Sequence, residues 1–299
     1  MKGTLAVARY TLLELSRRRI LLVFLIIGVV GVAVVGVGLK IFAVVNPVNF
    51  SAGGSAGSTP PDPAKVDRFL ELIFVSTLIS AVGLFALLVA FAIGMTAIYH
   101  DLESGAAVGI FSKPVSRLAF TTGKVLAAIV GMVVLVGLVG LEARLAMFLF
   151  GGGLEGALWV ETLAAVANAV LLMLIVLALS TWMNNIIAAV VAFIYNAVAG
   201  VVVALHAQLV GGQLGDNGMV KGVLDVAYWL VPHDLMSDAA RQIAKVQFDV
   251  IPPSEGGPTA EQVLSGIPGA SDFTDIIWWL FLVGLMAALV YVAVRRRQV

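Results

Sequence analysis

Polar residues in this chain come in clusters, and between the clusters lie apolar runs long enough to cross a bilayer. Six runs reach the roughly 20 residues a membrane helix needs: Ile20 to about Val45, Leu72 to Ile98, Val125 to Phe150, Thr162 to Thr181, Ile186 to Val210 and Ile276 to Val294. A membrane barrel needs strands of about ten residues with alternating hydrophobicity, and no such pattern occurs. The pattern predicts an all-α polytopic membrane protein of six transmembrane helices, forming one transmembrane unit over 1–299.

The connecting segments differ from one another. Residues 1–19 carry Leu5, Ala8, Leu12 and Leu15 at helical spacing, with Lys2, Arg9 and Ser16 on another face. This predicts an amphipathic helix lying on the inner membrane surface; an extended basic tail is the plainer alternative. The apolar run after Arg17-Arg18-Arg19 exceeds the 7–15 residues or so of a signal-peptide core, so it is expected to be a retained first span. Residues 46–70 form a Gly/Ser/Pro-rich loop. Residues 211–273 are too long for a plain connection. They hold one amphipathic pattern, with Leu235, Ala239, Ile243 and Val246 against Asp238, Arg241, Gln242 and Lys245, and a capping box at Thr259-Ala260-Glu261-Gln262. A small helical cap is expected there.

Charge sets the orientation. If both termini share a side with residues 99–124, that side holds eleven lysines and arginines against three acids; the other holds five against fourteen. The positive-inside rule then puts both termini in the cytoplasm of a cell-membrane protein. Trp278-Trp279 and Tyr291 agree as interfacial anchors.

Composition narrows the chemistry. The chain is 61% hydrophobic and 12% charged, with mean hydropathy +1.05. With no cysteine, thiol catalysis and thiolate metal sites are excluded. His100, His206 and His233 lack metal-ligand spacing, so no metal site is expected. Thr122-Gly123-Lys124-Val125 lacks the upstream glycine and the hydroxyl residue of a phosphate-binding loop, so the chain is not expected to be an ATPase or to bind a cofactor itself. No nucleic-acid partner is expected.

Lysine, arginine and acidic residues inside the runs are few. They are Lys40, Glu142 and Arg144. Glu142 lies 18 residues beyond Lys124, about 27 Å along a helix and near the outer interface. Lys40 is a candidate partner for it. A structural role and the lining of an outer exit are both open, whereas a proton relay needs deeper charge. In the fifth run Ala188, Ala192, Asn196, Gly200 and Ala204 repeat every four residues, and Asn168 in the fourth lies at a similar depth. A small face suits close helix approach; its amides could make an interhelical hydrogen bond or mark a substrate path.

Between the second and third runs stands HDLESGAAVGIFSKPVSR, residues 100–117. Pro114 disfavours helix just before it and suits the first turn of a new helix running through Arg117 and Lys124. That leaves 105–112, with Val108, Ile110 and Phe111, too short and glycine-rich for independent helicity. A marginal helix with exposed apolar residues between charged flanks suits a docking element, although a loop resting on the membrane is the alternative.

Glu103-Ser104-Gly105, Ser112-Lys113-Pro114-Val115-Ser116-Arg117 and Gly123-Lys124 resemble the signature between the second and third spans of ABC-2 type permeases, the membrane subunits of ABC transporters whose ATPase is a separate chain. Ala106 departs from the threonine often found there. The resemblance implies a coupling helix in 99–124, with Glu103, Gly105, Val108, Ile110, Phe111, Ser112, Lys113, Pro114, Arg117 and Lys124 serving an ATPase that binds ATP and Mg. It further implies a permease dimer, homo- or heteromeric, with two ATPase copies and a path between protomers lined by spans one, two and five. Asn168, Ala192, Asn196 and Gly200 would then belong to the path or the dimer interface. Transport, most simply export, is the function implied. Membrane lipids and an extracytoplasmic protein at the cap are further expected partners. Two other readings stand beside it: a non-transporting anchor or assembly factor acting through the cap, and an ion-coupled carrier or intramembrane enzyme using Glu142.

Overall fold

A computed structural model describes residues 2–17, 19–45, 63–98, 116–148, 154–210, 218–232, 234–250, 259–267 and 269–296. Among the described residues there are ten helices and no strand: α1 Lys2–Arg17, α2 Arg19–Val45, α3 Pro63–Thr96, α4 Arg117–Met147, α5 Glu155–Trp182, α6 Asn185–Val210, α7 Gly218–Leu230, α8 Ala239–Val250, α9 Ala260–Ser265 and α10 Phe273–Arg296. Five of them, α3, α4, α5, α6 and α10, are long and apolar enough to cross a membrane. In α2 the described apolar stretch is the shorter Leu25–Gly38. The chain is a helical membrane protein.

The core forms around α3 and α5. Glu71 of α3 accepts a hydrogen bond from the Leu154 amide at the start of α5 (2.9 Å), and Gly94 meets Val176 near its end, so the two helices run in the same direction. At that crossing a Cβ on Gly94 would lie 2.7 Å from Val176 Cβ and 2.8 Å from the Met173 carbonyl oxygen. Only glycine permits so close an approach. Gly140 of α4 receives Thr162 of α5 in the same way, and Gly28 of α2 receives the ring of Phe85. Phe74, Leu78, Ile93, Met132, Met173 and Leu174 fill the space between. Outside this centre, α6 and α10 pack on α5, with α10 also touching α4.

The N-terminal helix departs from expectation. It runs side by side with the first half of α4: Gly3 lies by Ala119, Thr4 and Val7 by Gly123, and Leu15 by Gly131. Gly123 lets the α1 backbone come close, a Cβ there lying 2.8 Å from the Thr4 carbonyl oxygen, and Gly131 leaves room for the Leu15 side chain. Its buried face is therefore Ala8, Thr11 and Leu15, while Leu5 is 71% exposed. The expected apolar face is thus rotated, and much of it is spent on α4 rather than left for the membrane.

In the cap, Ala239 and Ala244 of α8 are buried, and Ile243, Val246 and Val250 pack on the core. The box at Thr259 closes as expected, with Gln262 N donating to Thr259 Oγ1 and Thr259 N donating to Gln262 Oε1. The helix α7, not anticipated from the sequence, lies against α6.

Candidate functional site

The end of the bundle where α4 begins is built on a cap. Ser116 Oγ accepts from the Ala119 amide (3.1 Å), starting the helix at Arg117. Arg117 Nη1 donates to the Arg295 carbonyl (2.7 Å), joining the start of α4 to the end of α10. Arg296 stacks over Trp182 at the end of α5, 5.7 Å from the ring centre. Four helix ends thus meet here, with α6 starting just after α5.

Lys124 is fully buried. Its ammonium lies 3.3 Å from Glu14 Oε2 on α1 and 5.9 Å from the Phe120 ring centre. Of the residues the resemblance assigns to coupling, Lys124 therefore offers no surface to a partner; it fixes α1 to α4. A buried charge is tolerable only with such a counter-ion. Glu103, Gly105, Val108, Ile110, Phe111, Ser112, Lys113 and Pro114 lie outside the described residues.

The small-residue stripe of α6 divides. Ala188 and Ala192 are buried against this chain's own core, so Ala192 is not part of a free interface. The burial drifts to Ala199 and Val203, since a repeat of four overshoots the 3.6-residue turn. Gly200 faces open space, and beside it Phe193, Ile194, Val198 and Val201 are exposed. Asn196 is partly buried.

Asn168 contacts the cap instead of a neighbouring membrane helix. Its Nδ2 donates to the Leu235 carbonyl (3.0 Å) and its Oδ1 accepts from the Leu235 amide (2.8 Å). The segment so held is also tied elsewhere: Met236 N donates to Ser271 Oγ (2.7 Å), and Ser237 Oγ donates to Glu161 Oε2 of α5. Asp234 lies in the same segment, and burial together with the nearby Glu161 charge pushes its carboxyl up to about 6. Sequence reading missed this acid pair because its members stand 73 positions apart, one just before an apolar run.

Near the end of α4, Arg144 lies over the Trp159 ring (5.4 Å), and Glu142 Oε2 is buried without a hydrogen-bond partner among the described residues. The backbone of Lys40 belongs to α2, and its side chain lies outside what the structure describes.

Two concavities stand out. One, about 820 Å³, opens between α1, α2 and α4 and is lined by leucines and valines with Arg9 and Ser16 at its edge. The other, about 370 Å³, lies between the ends of α6, α7 and α9 and the start of α10. Among the described residues no three His, Asp or Glu side chains converge as a metal site. Compared with models of known protein families and with curated proteins, the chain matches none.

Proposed function

We propose that this chain is the membrane subunit of an ABC-2 type transporter, moving a substrate outward with ATP hydrolysed by a separate chain. In this reading α2 is the first of six membrane helices, both termini face the cytoplasm, and two permease copies act with two ATPases. The observation that carries it is the linkage around the start of α4. A force applied to 105–112 would enter α4 at the Ser116 cap. From there it would pass to α10 through the Arg117–Arg295 bond and to α1 through Lys124–Glu14. The stretch that resembles a coupling signature therefore leads into the helix best placed to transmit a push. The apolar groove beside α1 suits lipid chains, as expected of a face in the bilayer.

The test is affinity capture of the full chain from its own membranes. A Walker-A-containing ATPase should co-purify, and Ile110→Asp with Phe111→Asp should abolish both its capture and its stimulation. Intact assembly and ATPase activity in that double variant would overturn the coupling assignment.

A further inference from the structure

The 370 Å³ cavity at the cap has walls of two kinds. One is aromatic and acidic. His206 stacks on Tyr228 with ring centres 4.3 Å apart, and Trp229 meets Tyr228 edge-on at 5.5 Å. The Tyr228 hydroxyl donates to Asp275 Oδ1 (3.2 Å), and Asp275 Oδ2 accepts the Asp272 amide (2.9 Å). Asp225, paired with His206 at 3.2 Å, stands behind this wall. The other is Arg241, whose Nε donates to the Ile267 carbonyl (2.9 Å) and whose guanidinium packs against Gly269.

Aromatic faces and carboxylates together replace the water an ammonium group gives up on binding. Among the described lining residues an anion would meet two carboxylates against the one guanidinium of Arg241, and a neutral molecule would gain little from them. The field is felt within the wall itself. Burial, and then Asp275 and Asp272, push the Tyr228 hydroxyl's ionisation upward. The volume fits a small ligand, near the low end of ordinary sites.

We propose that this cavity binds a small organic cation through its alkylammonium group, seated between the rings of Tyr228 and Trp229 and the carboxylates of Asp272 and Asp275. This site goes beyond the transport reading and stands without it.

The experiment is a titration of the full-length protein in detergent micelles with tetramethylammonium chloride, followed by calorimetry, with sodium chloride at matched ionic strength as control. Saturable heat with tetramethylammonium alone is expected. Tyr228→Leu and Asp272→Asn should each weaken binding about tenfold, and Tyr228→Phe, which keeps the ring, should stay within about twofold. Asparagine caps a helix as aspartate does, so Asp272→Asn retains the start of α10 and remains decisive even if Tyr228→Leu unfolds the cap. Equal heats with sodium chloride, or unchanged affinity in Asp272→Asn, would overturn the proposal.

Discussion

The neighbouring helices α5 and α6 are almost equally apolar and are joined by a tight turn, yet they live differently. In the most apolar stretch of α5, 61% of positions are buried inside the chain; in α6 the figure is 22%. Hydropathy therefore places both helices in the membrane and says nothing about which is central. The difference lies in what faces them. Its neighbours offer α5 two glycines, Gly94 of α3 and Gly140 of α4, into which Val176 and Thr162 fit. In α6 the glycine is its own, and Gly200 has nothing beside it. Lipid tails are as apolar as leucine, so close packing rather than water exclusion decides burial here.

One substitution made twice should break or sustain this contrast, and it carries the largest expected effect. Gly94→Ala should destabilise the chain by about 1–3 kcal/mol, because the added methyl meets a backbone carbonyl that cannot swing aside. Gly200→Ala meets open space and should stabilise α6 by about 0.5–1 kcal/mol through the unfolded chain. Unfolding in mixed micelles measures both. Equal shifts of the same sign would show that the glycine crossing does not set the centre of the bundle.

Next in size is the cap's attachment to α5. Asn168→Ala removes two hydrogen bonds and leaves both Leu235 backbone groups without them, a cost of about 1–3 kcal/mol. Asn196→Ala on α6 should cost less than about 0.5 kcal/mol. Hydrogen exchange across 234–238 should rise in the first variant and stay unchanged in the second. If both variants behave alike, the clamp is not what holds the cap.

These contrasts also mark what could be read from the sequence. The membrane helices, the capping box at Thr259 and the apolar face of α8 are written in local spacing, and local spacing is what a sequence displays. Asn168 and Asn196 look alike in sequence, each an amide in an apolar run, yet one grips Leu235, 67 residues away, in a segment without regular structure. The stripe on α6 repeated every four residues, but a helix turns in 3.6, so Ala188 and Ala192 went inward while Gly200 turned out. For α1 the missing information lay on another helix, at Gly123 and Gly131. Pairings of this kind depend on tertiary neighbours, and a single chain's pattern does not name them.

The smallest effect expected is a dependence on pH at the same attachment. Asp234 holds its proton up to about pH 6 in the folded protein, raised from 3.8 by burial and by Glu161. A carboxyl with a raised folded value binds protons more tightly folded than unfolded. Its contribution is fully present below about pH 4 and is lost as pH climbs through about 6. The cap should therefore loosen from α5 between those values, by at most about 2 kcal/mol. Asp234→Asn keeps the shape and removes the titration. Its melting temperature should equal that of the natural chain at pH 4 and exceed it progressively toward pH 7. Parallel curves for the two proteins would mean that the acid pair does not govern the cap, and that the clamp by Asn168 alone sets the difference between the two helices where the cap meets them.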